Sequence, residues 1–109
     1  MLTLDQAKNS EYYRDIHHDD IAAINNYVRT GTVARNFIMC ILRSDHLGML
    51  RSANLDDLSV LKKMSRYVNR QTPLDCRGSD DTVRLWITEH ETNAIHGPED
   101  LIKWMEYQI

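Results

Sequence analysis

The sequence is short of the residues that staple a fold, break its helices or carry it into a membrane. Its 109 residues include two cysteines, two prolines, four glycines and one phenylalanine. Cys40 and Cys76 belong to no Cys-x-x-Cys pair, which excludes the paired-thiolate spacing of zinc ribbons and thioredoxin-type redox motifs. No 18 apolar residues run consecutively, so no stretch qualifies as a membrane-spanning helix. The opening Met1-Leu2-Thr3-Leu4-Asp5 lacks the basic and apolar regions of a secretory leader. The expected location is therefore the cytoplasm, with both cysteines as free thiols.

Catalytic and cofactor signatures are equally sparse. The glycines stand singly at 31, 48, 78 and 97, so none builds a phosphate-cradling loop, and each reads as helix punctuation. Glu89-His90-Glu91 lacks the His-Glu-x-x-His spacing that sets two imidazoles on one helix face. Cys76 is expected in a polar turn beside Arg77, whose charge would lower the thiol pKa. A nucleophile there would still need a base and an orienting group to converge on it, and the sequence does not assign these roles in combination. His17-His18-Asp19-Asp20 is the densest ligand-like cluster. Adjacent side chains at a helix start diverge, so its expected role is an N-terminal cap with exposed histidines. The expectation is a non-enzyme with no metal and no cofactor.

What is present is an ordinary globular balance, 42% apolar and 27% charged, in a chain long enough for one core. A single domain over 1–109 is expected, and periodicity makes it all-α. Thr3 with Gln6 forms a capping-box pattern opening a helix over 3–13. Asp19 is placed to cap a second helix carrying Ile21, Ile24, Tyr27 and Val28 on one face, closed by Gly31. From Val33 to Arg43 the sequence is apolar almost all round, which marks a central buried helix. Ser44 or Asp45 starts a short helix over His46 to Ser52. Asn54 then caps a longer one with a Leu58, Leu61, Met64, Val68 stripe and Tyr67 alongside, stopped by Pro73. Ser79 opens another, with Val83, Trp86 and Ile87 inward and Asp80 and Asp81 at its positive end. Gly97-Pro98-Glu99-Asp100 opens a last helix over 98–108, packed through Leu101, Trp104 and Met105. No stretch alternates as a strand does. A compact bundle of five to seven short helices follows, with 3–13 and 98–108 as possible accessory helices. Its core is expected around Phe37, Ile41, Leu61, Met64, Val68 and Trp86.

Charge is segregated along the chain. Residues 1–28 carry two basic and five acidic side chains, 29–70 eight and three, and 71–109 three and eight. Lys62, Lys63, Arg66 and Arg70 repeat at helical spacing opposite the apolar stripe, with Arg43 and Arg51 placed to extend the patch. Such a face suits an acidic protein surface or phosphates. Asp80, Asp81, Glu89 and Glu91 form the opposing acidic surface, and the two faces also suit mutual attraction within the fold. Thr30-Gly31-Thr32 is similar to a helix-turn-helix turn. The helix after it offers base edges only Arg35, Asn36 and Arg43, so nucleic-acid binding falls to the basic helix 62–70. It is the alternative to a protein-binding role.

One pattern runs through the middle of the chain. It comprises Ile24, Tyr27-Val28, Gly31, Phe37-Ile38, Ile41-Leu42, Asp45-His46-Leu47 and Ser52-Ala53-Asn54. It continues with Tyr67-Val68-Asn69, Thr72-Pro73, Gly78-Ser79, Val83 and Trp86-Ile87. This resembles small helical proteins encoded by tailed bacteriophages and prophages, over about residues 21–87. Arg35 departs from it where a small residue is common, and Asn54 where an aspartate is common. The resemblance implies a stoichiometric binder of a host protein or protein–nucleic acid complex, including anti-CRISPR-like and anti-restriction-like inhibitors.

Overall fold

A computed structural model describes residues 2–93, with side chains through residue 91. Among the described residues the protein is all-α, with six α-helices, one 3-10 turn and no strand. The helices are α1 (Leu4–Lys8), α2 (His18–Thr30), α3 (Asn36–Arg43), α4 (His46–Ser52), α5 (Leu55–Gln71) and α6 (Asp80–Asn93). The helix expected over 98–108 lies outside the described residues.

Packing radiates from α3. Phe37, Ile38, Met39, Cys40, Ile41 and Leu42 are all buried, and a helix apolar on every side has to be enclosed by its neighbours. Helices α4, α5 and α6 pack against it, and α1 packs on α2. The core is completed by Ile21, Ile24 and Tyr27 of α2, Met64, Tyr67 and Val68 of α5, and Val83 of α6, with Leu61 and Trp86 partly buried against it.

The longer-range ties are polar. The Tyr27 hydroxyl donates to the Cys76 carbonyl at 2.7 Å, and the Trp86 indole N–H donates to the Tyr27 carbonyl at 3.1 Å. The Gly78 N–H donates to the Leu42 carbonyl at 2.8 Å, fastening the loop before α6 onto the end of α3. Tyr67 donates to Asn25 Oδ1 at 2.6 Å, and its ring meets Tyr13 edge-on at 5.1 Å.

Local chemistry accounts for the helix ends. Thr3 and Gln6 close a full capping box on α1, and Asn54 does the same on α5 with Asp57 as its partner. Each box satisfies two otherwise orphaned N–H groups. Gly31 takes the left-handed conformation after α2 (φ +71°), and Ser44 does so after α3 (φ +58°). Asp45 caps α4 and Ser79 caps α6.

Five sequence expectations are corrected. The first helix ends at Lys8 rather than near residue 13, because Ser10 Oγ accepts the Tyr12 N–H and offers the backbone a turn instead. His17, not Asp19, caps α2 through Nδ1, which accepts the Asp19 N–H. The central helix starts at Asn36, and Val33 is 59% exposed in the extended segment before it. Leu58 is 45% exposed, since the inward position in the first turn of α5 belongs to Asp57, which is buried against Arg35. Cys76 is fully buried within the 3-10 turn Leu74–Cys76 rather than lying in an open polar loop.

Candidate binding surface

The basic residues singled out by sequence divide into two groups. Lys62, Arg66 and Arg70 follow one another at four-residue spacing, so they occupy one face of α5 over about 12 Å. They form no ion pair among the described residues, and neither does Arg51 on α4. Lys63 instead turns to Asp15 in the segment before α2. That ammonium, by hydrogen bond and by charge, holds the Asp15 carboxyl below the usual carboxylate range. Arg43 faces Asp80, with Nε 3.1 Å from Oδ1. Its buried Nε is not aligned for a hydrogen bond, so the attraction is one of charge alone. Asp80 also meets Arg84 at 2.9 Å, one turn further along α6.

The acidic surface divides likewise. Asp80 is drawn into the Arg43–Arg84 pairing, so one residue from each charge patch meets the other inside the fold. Asp81, Glu89 and Glu91 are exposed and form no ion pair among the described residues. Glu89 borders an open groove of about 410 Å³ that is also lined by Leu74, Asp75, Thr82, Leu85 and Trp86.

Of the histidine cluster, His17, His18 and Asp19 come together with ligand atoms within 4.8 Å of one another, all exposed. The two imidazoles stack at 4.4 Å. His17 Nδ1 is already occupied as the helix cap, and the positive end of α2 opposes a bound cation. Asp20 leaves the cluster and turns to Arg35.

That Arg35 contact is the polar centre sequence reasoning missed. Its guanidinium grips Asp20 through Nε and Nη2, both at 3.0 Å, and Asp57 through Nη1 at 2.9 Å and Nη2 at 2.6 Å. One cation thus joins α2, the start of α3 and α5. Its planar fork can serve two carboxylates, which a point-charge ammonium cannot. The guanidinium also lies 5.2 Å over the Phe37 ring. Asp57 is 5% exposed, and the hydrogen bonds from Arg35 hold its carboxyl below the usual range against the opposing cost of burial. A charged residue at the mouth of an apolar helix, and an aspartate three after Asn54, were the only sequence hints.

Cys76 offers no reactive thiolate. Burial pushes its thiol pKa up, outweighing the Arg77 charge beside it, and its Sγ donates to the Pro73 carbonyl at 3.1 Å. No helix among the described residues is long and apolar enough to cross a membrane. No family model, curated protein or solved structure matches this chain.

Proposed function

We propose that the protein is a binding module that docks an acidic protein surface through the Lys62, Arg66 and Arg70 strip of α5. One observation supports this above others. Arg35, Arg43, Lys63 and Arg84 each find a carboxylate, whereas three cations on one face of α5 find none among the described residues. Like charges at four-residue spacing destabilise a helix by roughly 0.2–0.5 kcal/mol per pair. An anionic partner relieves that repulsion and gains complementarity.

A protein partner suits the strip better than a nucleic acid. Three cations are few beside the six to ten phosphate contacts typical of electrostatic DNA binders. The net charge of −3 and the exposed Asp81, Glu89 and Glu91 also repel a polyanion. A role as a stoichiometric inhibitor of a host protein, such as a restriction or CRISPR component in a bacterial cytoplasm, is supported by the resemblance over residues 21–87.

The test is capture of partners from host lysate by the tagged protein, with and without nuclease, compared with a K62E/R66E/R70E variant. A nuclease-resistant, stoichiometric protein lost with the variant is the expected result. Direct binding of purified nucleic acid, with log affinity falling linearly in log salt, would transfer the strip to the alternative role.

A further inference from the structure

The outer face of α4 and the first turn of α5 are built alike. Met49 and Asp57 point inward and are buried. At the same relative positions around them stand Leu47 and Leu50 on α4, and Leu55 and Leu58 on α5. These four leucines are 67%, 59%, 84% and 45% exposed. Only Ala53 and Asn54 separate the two helices. Two charged residues accompany the leucines, Arg51 after Leu50 and Asp56 after Leu55. Both are exposed, and neither forms an ion pair among the described residues.

We infer that this face is a homodimer interface, in which the leucines of two copies cover one another and Arg51 of each copy meets Asp56 of the other. The combination selects a second copy over a foreign partner. A two-fold interface presents the same patch from both sides, so it must carry complementary features within itself. These helices carry them, with exposed leucines on both, Arg51 on α4 and Asp56 on α5, neither charge ion-paired among the described residues. A partner of a single charge sign would satisfy one and repel the other.

The apolar area sets the strength. Four partly exposed leucines fall at the small end of specific interfaces, below about 1,200 Å² in total. Such a dimer is expected at tens to hundreds of micromolar. The inference does not depend on the basic strip of α5, which involves other residues.

Sedimentation equilibrium of the full chain, from about 10 μM to 1 mM, tests it. Wild type should show a monomer–dimer equilibrium, and L47E/L55E should remain monomeric with an unchanged Tm, since neither leucine supports the core. R51E and D56R alone should each weaken the dimer about tenfold, because both contacts become repulsive. Mixing R51E with D56R should restore it, since both acidic side chains of the first variant then face arginines of the second. Wild type monomeric at 1 mM would overturn the inference. So would a dimer that survives L47E/L55E, or single variants whose mixture does not associate. A large drop in Tm for L47E/L55E would also overturn it, by showing that the chain covers these leucines itself. Loss of partner capture by K62E/R66E/R70E with an intact dimer separates this result from the proposed function.

Discussion

Replacing Arg35 with methionine keeps a long apolar stem beside Phe37 but removes the cation shared by Asp20 and Asp57. Asp57 would then be a nearly buried carboxylate held by the Asn54 N–H at 3.1 Å as its remaining contact. Breaking a fully buried ion pair by removing one partner costs about 3–5 kcal/mol. The Arg35 side chain is 40% exposed, so water already screens part of the interaction and about 2–3 kcal/mol is the better expectation. For a domain near 100 residues that corresponds to a fall in Tm of roughly 10–20 °C. Thermal and urea melts followed by circular dichroism would measure it.

The pH dependence is the sharper test. The folded-state pKa of Asp57 lies below its unfolded value. Its contribution is therefore complete above the unfolded carboxylate pKa of about 4 and disappears as pH falls through the lower, folded value. In Arg35→Met the opposing burial cost prevails, so Asp57 takes up its proton at higher pH than in wild type. The stability gap should be widest near neutral pH and shrink in acid. A double-mutant cycle with Asp57→Asn should give a coupling above about 1 kcal/mol. A gap below about 1 kcal/mol at pH 7, or one that stays constant into acid, would refute Arg35 as the electrostatic centre of the fold.

Other substitutions carry equally definite expectations. Phe37 is 1% exposed in the first turn of α3, so Phe37→Ala should cost about 3–5 kcal/mol in urea unfolding. Gly48→Ala should destabilise by about 1–3 kcal/mol, although alanine is ordinarily the better helix former. The reason is close packing, since a β-carbon at Gly48 would lie 2.7 Å from Cys40 Sγ and crowd the Asp45 carboxylate. Cys76 should resist thiol reagents in the native protein at pH 8 and react on unfolding, because burial both raises its pKa and blocks access. Rapid native labelling at Cys76 would contradict its placement.

Local signals proved readable where a neighbour three or four residues away decides the outcome. Thr3 with Gln6, Gly31, Asn54, Pro73 and Ser79 each mark a helix end that the structure realises. The unbroken apolar stretch of α3 likewise announced its central place. Errors arose where the deciding partner is distant or the contest is fine. Cys76 looks polar among Asp75, Arg77 and Gly78, yet Tyr27, 49 positions earlier, binds its carbonyl and draws the turn inward. Val33 and Leu58 fit the periodic pattern, but Val33 falls in the extended segment before α3, and beside Leu58 the inward place is taken by Asp57, whose partner Arg35 lies 22 positions away. The charge strip of α5 was visible as spacing. Which of its cations remain unpaired was not, because Asp15 lies 48 positions from Lys63.

The loop before α6 carries a consequence for how finely this protein can be divided. Its two main-chain groups, the Cys76 carbonyl and the Gly78 N–H, complete the Tyr27 hydroxyl and the Leu42 carbonyl. A chain cut at Pro73 would leave the buried Tyr27 hydroxyl without its acceptor and expose the flank of α3 that α6 covers. The first five helices therefore form no autonomous subdomain, and α2, α3 and α6 should gain or lose protection from hydrogen exchange together. Fragments, insertions and fusions should respect that unit.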